Sequence, residues 1–400
     1  MTLQLLLYWL AMICIQHTTV YTPDGVLEDG AVLLQDDRIQ TIAPTSQINL
    51  PENATCINGQ GLHLVPGFID LQLNGAIGLD FTTEPSSIWP VAAHLPRYGV
   101  TSFLPTIISS PLTAVQAAQE VIVGESPANF IGATPLGLHL EGPFLNPAKK
   151  GAHNPAYLQT PTETAVVTWS PESGVRLVTL APELPNALTV AHILAERGVV
   201  VSAGHSTATF AQAKAGFAAG ICYGTHLFNA MPPLHHRELG LAGALLADDR
   251  ATVGLIVDGE HVHPELVKMV WELVGNGRLT LVSDAMAALG MAPGSYKLGD
   301  FDVIVDETTA RLSTGSLAGS ILSMDSALRN LIGFTSCTLA DGLPTVSSTP
   351  ANLLNLPQKG RIAPNCDADL VLLTANLQVH TTFVNGRISY QKNLSADFTD

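Results

Sequence analysis

Through the middle of the sequence, short apolar runs alternate with segments of helical period, and the runs carry no polar alternation of their own. They fall at 64–70, 99–106, 136–141, 175–181, 199–205, 221–226, 252–258 and 279–284. Helix-period segments lie between several of them, at 111–124, 188–197, 210–219 and 264–274. Runs rich in Val, Ile and Leu are what parallel strands covered on both faces require. Eight such units closing on themselves predict an α/β fold, a (β/α)8 TIM-type barrel. Gly99, Gly198 and Gly220 stand where a helix exit favours a left-handed residue.

The ends of the chain read differently. Short strands at 31–35 and 38–42 flank Asp36-Asp37, another lies at 54–58, and 369–373 and 380–390 are again strand-like, with a turn at Asn385-Gly386. Two β-rich ends around a long barrel predict one small β-domain from residues 1–62 and 351–400, with the barrel spanning 63–350. The stretch 3–15 is apolar apart from Gln4. It is shorter than the roughly 20 residues of a membrane span, and it lacks a basic residue before Arg38 and a clean cleavage site. A buried first strand with an extension is expected, and no membrane partner.

Composition narrows the function classes. At 46% hydrophobic and 13% charged residues, the chain is not disordered. A net charge of −16 argues against a nucleic-acid partner, while an anionic small molecule needs only a local Arg and a few backbone N–H groups. Cys14, Cys56, Cys222, Cys337 and Cys366 are scattered and odd in number, with no C-x-x-C pair. That fits neither a disulfide framework nor a zinc ribbon, and points to a reducing, cytoplasmic setting.

Polar residues select the ends of the apolar runs: Asp70, Glu141, His205, His226, Asp258 and Asp284. In a barrel these ends form the rim where chemistry is placed. Singly, a strand-ending Glu is commonly a solvated loop residue, and a His after a buried strand is commonly a hydrogen-bonded structural one. Together, Glu141, His205 and His226 form a zinc-type ligand set with an open position for water. Asp284 reads either as a helix N-cap or as a carboxylate facing the metal from strand eight, able to take a proton from water. The loop 142–158 holds His153, which is a surface or a catalytic residue, and Lys149 and Lys150, read as a solvated pair. Asn229 to Pro233, followed by Arg237, suits a phosphate, although an Arg in a loop is often simply exposed. His261 and His263 add imidazoles after strand seven, and His263 also reads as a lead into the helix at Pro264.

With these residues in view, the chain resembles the N-acetylglucosamine-6-phosphate deacetylase family of the amidohydrolase superfamily. The likeness runs from Pro66-Gly67-Phe68-Ile69-Asp70 to Ala368-Asp369-Leu370-Val371. Its distinctive pieces are His139-Leu140-Glu141-Gly142-Pro143-Phe144, Lys150-Gly151-Ala152-His153-Asn154-Pro155, Gly204-His205-Ser206, Thr225 to Met231, Asp258-Gly259-Glu260-His261-Val262 and Ser283-Asp284-Ala285. Each is weak alone; in order and at matching spacing they are specific. The resemblance implies hydrolysis of an acetamide on a phosphorylated amino sugar. It implies metal ligands Glu141, His205 and His226, and Asp284 as general base and then acid. It assigns catalysis to His153 as well, and substrate contacts to Ala152, His153, Asn229, Ala230, Arg237, His261, Leu317, Ala318 and Gly319. An accessory β-sandwich built from residues 1–62 and 351–400, beside the catalytic barrel, and a homodimer are implied too.

Where many amidohydrolases carry His-x-His, this chain has Gln72-Leu73-Asn74, poor ligands for a zinc-like ion. One divalent ion is therefore expected, Zn²⁺ with Fe²⁺ as the alternative, with Gln72 and Asn74 shaping the pocket or orienting water. Strand four ends Leu180-Ala181-Pro182-Glu183, without a bridging Lys. The competing readings are a cyclic-amide hydrolase, disfavoured by these absences, and a catalytically inactive sugar-phosphate-binding barrel.

Overall fold

A computed structural model describes residues 12–392. Its central sheet runs in chain order through Phe68–Leu73, Val100–Ile108, Leu138–Glu141, Val175–Leu180, Val200–Ala203, Ile221–Gly224, Thr252–Leu255 and Leu279–Leu281, each parallel to the next. The expected helices are present as Leu112–Val123, Ala187–Glu196, Phe210–Ala218 and Pro264–Val274. The last of these begins with Pro264, preceded by His263, whose Nδ1 accepts the Glu265 N–H. His263 is therefore a helix cap.

Closure does not follow the regular ladder. It happens just beyond the eighth strand, where Leu73 and Ala285 form a parallel bridge. The Asp284 N–H donates to Gln72 O at 2.9 Å, and the Asn74 N–H donates to Ala285 O at 2.8 Å. One layer below, the Asp70 carboxylate accepts the Ser283 hydroxyl and the Ser283 N–H. Asp70 is 1% exposed, so it is a seal inside the barrel and not the rim residue that the run 64–70 suggested. The cause is a split in that run. His63–Pro66 belongs to another sheet, and the barrel strand starts at Phe68, which moves Gln72 and Asn74 up to the mouth.

That other sheet joins both ends of the described chain. Hydrogen bonding orders it as Arg387–Gln391, Val379–Val384, Leu370–Leu373, His63–Pro66, Met12–Thr22, Gly25–Gln35 and Arg38–Pro44, with Thr55–Asn58 beside Met12–Thr22. Ile39, on the last strand of this path, and Phe383, on the second, share one apolar cluster with Ile15, Leu34 and Leu64, so the sheet wraps around its own core. Side chains alternate between faces. Leu370 and Leu372 enter that cluster, while Val65, Val371 and Leu373 enter the barrel core. Part of the expected first strand is Met12–Ile15, where Cys14 and Ile15 are fully buried; residues 1–11 lie outside the described part. Among the described residues, no helix is long and apolar enough to cross a membrane.

An antiparallel three-stranded sheet, Gly294–Leu298, Phe301–Val305 and Ala310–Leu312, intervenes between the eighth strand and the helix Met324–Thr335. It was not anticipated from the sequence, although Gly299-Asp300 between alternating segments is a hairpin signal.

Gly67 is the joint between sheet and barrel. Its N–H donates to Asp369 O at 2.8 Å, and an added Cβ would lie 2.2–2.7 Å from Thr101 side-chain atoms. Gly67→Ala should therefore cost about 1–3 kcal/mol through overpacking. Urea unfolding checks this, and an unchanged midpoint would show that the joint is loosely packed.

Candidate active site

Three strand ends bring their donors to one point. Glu141 closes the third strand, while His205 and His226 each lie two residues past the fifth and sixth. His205, His226 and Asp284 all adopt positive φ, at 48°, 31° and 46°. This sparsely populated backbone turns each side chain back over the barrel mouth. The His205 Nε2 lies 3.2 Å from Glu141 Oε1 and 3.0 Å from His226 Nε2, and His226 Nε2 is 3.0 Å from the same Glu141 oxygen. Ligand atoms in a tetrahedral shell at zinc distances stand roughly 3.3–3.4 Å apart, so the three donors fit one divalent ion. The tautomer of His205 agrees. Its Nδ1 faces the Lys149 carbonyl at 2.8 Å and must donate there, which leaves the Nε2 lone pair for a cation.

His153 also lies within ligand distance of Glu141 and His205. Its Nδ1, however, accepts the Ser109 N–H at 3.1 Å. Burial pushes its pKa down to about 4, so the ring is neutral and its proton sits on Nε2, 3.6 Å from Glu141 Oε2. His153 is thus a donor beside the cluster, and the geometry prefers His226 as the third ligand. Burial disfavours charge on Glu141, yet the imidazoles packed around it, His153 foremost with its Nε2–H, hold its carboxyl well below the usual range.

Asp284 faces this cluster from the closure seam. Burial, reinforced by the charge of Glu141, pushes its carboxyl up to about 6. The Asn74 amide donates to Asp284 Oδ1 at 2.8 Å, and the Gln72 amide donates to Glu141 Oε1 at 3.0 Å. Both amides thus orient carboxylates, and their own oxygens, Gln72 Oε1 and Asn74 Oδ1, are buried without a partner among the described residues.

A cavity of about 320 Å³ opens above these groups. Ala152, His153, Asn229, Ala230 and His261 line it, and so does the Leu317-Ala318-Gly319 turn. Lys149 lines it too, with its ammonium on Met231 O at 3.0 Å, so it is not the solvated charge the sequence suggested. Arg237 stands outside the lining, exposed, with its guanidinium on His236 Nε2 at 2.6 Å.

A model of the amidohydrolase family matches residues 63–389. The chain belongs to that family. It is 38% identical over 392 residues to an N-acetylglucosamine-6-phosphate deacetylase of Lysinibacillus sphaericus, covering 97% of this chain and all of the relative. An enzyme of the same name from Homo sapiens is 40% identical over 347 residues, 83% of this chain and 84% of its own. The crystal structure of the Pasteurella multocida N-acetylglucosamine-6-phosphate deacetylase superposes with a TM-score of 0.88 at 31% identity, covering 94% of this chain and 99% of its own.

Two supports of this amidohydrolase site escaped the sequence. Asp258 holds His261, its Oδ2 2.6 Å from Nδ1, while its Oδ1 accepts the N–H groups of Glu260 and His261. The spacing Asp-x-x-His was visible, but its pairing was not. Below the Glu141, His205 and His226 cluster, a fully buried belt links strands. The Thr179 hydroxyl reaches His139 Nε2 at 2.7 Å and Thr225 Oγ1 at 2.7 Å, and Thr225 reaches Ser202 Oγ at 2.5 Å. His139 Nδ1 donates to Leu71 O at 3.1 Å.

Burial pushes His139 down from 6.5 to about 4. Between these values the unfolded chain binds a proton that the folded chain refuses. Stability should therefore fall as pH drops from about 6.5 towards 4, by up to about 1.4 kcal/mol per pH unit from this group. In metal-free protein, His139→Gln should flatten that slope. Parallel slopes in urea unfolding at several pH values would contradict the assignment.

Proposed function

We propose that this chain hydrolyses the acetamide of N-acetyl-D-glucosamine 6-phosphate to D-glucosamine 6-phosphate and acetate. The observation that carries the reading is the meeting of Glu141, His205 and His226 within 3.0–3.2 Å, with Asp284 across from them. Full-length relatives of that name support it. We assign one divalent ion, Zn²⁺ before Fe²⁺, to the three ligands. When bound, such an ion lowers the pKa of water to about 7 and polarises the acyl oxygen.

The chain's own residues do the rest. Asp284, oriented through Oδ1 by Asn74, accepts the proton of the attacking water. The His153 Nε2–H donates to the developing oxyanion, a contribution of about 3–4 kcal/mol for such a donor. Asp284 then returns the proton to the departing nitrogen, because without it the nitrogen would have to leave as an amide anion, a very poor leaving group. The phosphate is assigned to Lys149, the Asn229 side-chain amide and the Ala230 backbone N–H, all from residues that line the cavity together with His261; the Asn229 N–H itself is spent on His226 O. Arg237, outside the lining, is given a lesser part. A homodimer and a cytoplasmic location complete the proposal; five free cysteines suit a reducing compartment.

Acetate release from the phosphorylated sugar tests the reading directly, and removing metal with a chelator should abolish it reversibly. Asp284→Asn should retain metal and lose at least about a hundredfold in turnover; normal turnover would remove Asp284 from the mechanism. Lys149→Ala should cost about tenfold or more on the phosphorylated substrate, as loss of a charge-assisted contact does, and little on free N-acetylglucosamine. Equal losses on both would overturn the phosphate assignment.

A further inference from the structure

Ile108 belongs to two cavities at once. It ends the second barrel strand and lines the catalytic cavity, and it also lines a neighbouring one of about 170 Å³, where Pro111, Ala114, Tyr157 and Phe301 supply apolar wall among polar residues such as Thr83 and Asn154. The two spaces meet at this side chain. Its backbone is held by an N–H bond to Thr82 Oγ1 at 3.1 Å, and a Cβ at Gly299 would fall 2.8 Å from its Cδ1. The partition is therefore seated between the second strand and the Leu298-Gly299 turn, and it is 5% exposed.

The next residue along the strand touches the chemistry directly. The Ser109 N–H donates to His153 Nδ1 at 3.1 Å, and His153 presents its Nε2–H to the acyl oxygen in the proposed reaction. The methyl group on the same acyl carbon must lie beside that oxygen. Ile108 and Leu298 are the larger side chains of an apolar cluster that also brings Ala152 and Ala318 to the catalytic cavity.

We propose that Ile108 sets the acyl-chain length, stopping the acyl group at two carbons by closing the catalytic cavity off from its neighbour. This rests on the deacetylase reading. The reaction with a longer chain is the same hydrolysis: water adds to the acyl carbon, the C–N bond breaks, and the products are the amine and the longer carboxylate. Shortening Ile108 joins the two spaces and gives further methylenes an apolar place to go.

The test compares N-acetyl, N-propanoyl and N-butanoyl-D-glucosamine 6-phosphate on the native chain, Ile108→Val and Ile108→Ala. Each methylene admitted or rejected by an apolar pocket changes kcat/KM by about tenfold or more. The butanoyl-to-acetyl ratio should thus rise at least about tenfold in Ile108→Ala, with a smaller rise in Ile108→Val. If either folded variant hydrolyses the acetyl substrate with the native ratio, Ile108 is not the partition. Ile108→Val, differing by one methyl, keeps the test readable if Ile108→Ala does not fold. A native chain that releases no acetate overturns the deacetylase reading itself, a result distinct from an unchanged ratio.

Discussion

The seam between the first and eighth barrel strands is the constraint from which the site follows. Regular parallel pairing stops before it, and the ring closes through Leu73 and Ala285, with the backbone of Gln72, Asn74 and Asp284 supplying the bonds. Leu73 and Ala285 turn their side chains into the core, while Gln72, Asn74 and Asp284 send theirs into the mouth. Gln72 reaches Glu141 and Asn74 reaches Asp284. Sealing the barrel and aiming its carboxylates are therefore the same act. Asp70, one layer down, fastens the seam through Ser283.

A buried carboxylate among imidazoles is costly unless every partner is in the right protonation state. Here the backbone chooses those states. The Lys149 carbonyl puts the proton of His205 on Nδ1, and the Ser109 N–H puts that of His153 on Nε2. One imidazole is left with a lone pair for a cation and the other with a donor, though both stand against the same Glu141. The difference between a ligand and a hydrogen-bond donor lies in which backbone group meets Nδ1.

Much of this was legible in the residues. The parallel barrel was written in the eight apolar runs, and the ligand types in the residues that end three of them. What escaped was register and long-range pairing. The run 64–70 reads as one strand because both its halves are apolar, and only the packing at Gly67 divides them between two sheets. Lys149 looked solvated because a loop lysine usually is; the composition of 142–158 suited a loop over the mouth, but the contact of its ammonium with Met231 O lies beyond any local signal. His139 looked like part of a motif, while its role in the buried belt depends on hydroxyls from three other strands.

The left-handed backbone at His205, His226 and Asp284 has a bearing on how this centre can drift over generations. Such φ values are tolerated by Gly, Asn, Asp and His far better than by β-branched or bulky residues. The backbone thus restricts the alphabet of replacements before reactivity is tested at all. Exchanges among short polar side chains stay conformationally cheap at these places, whereas a switch to Thr or Val meets a steric barrier. Descendants of this chain can lose or change their reactivity by single steps and still keep the same mouth.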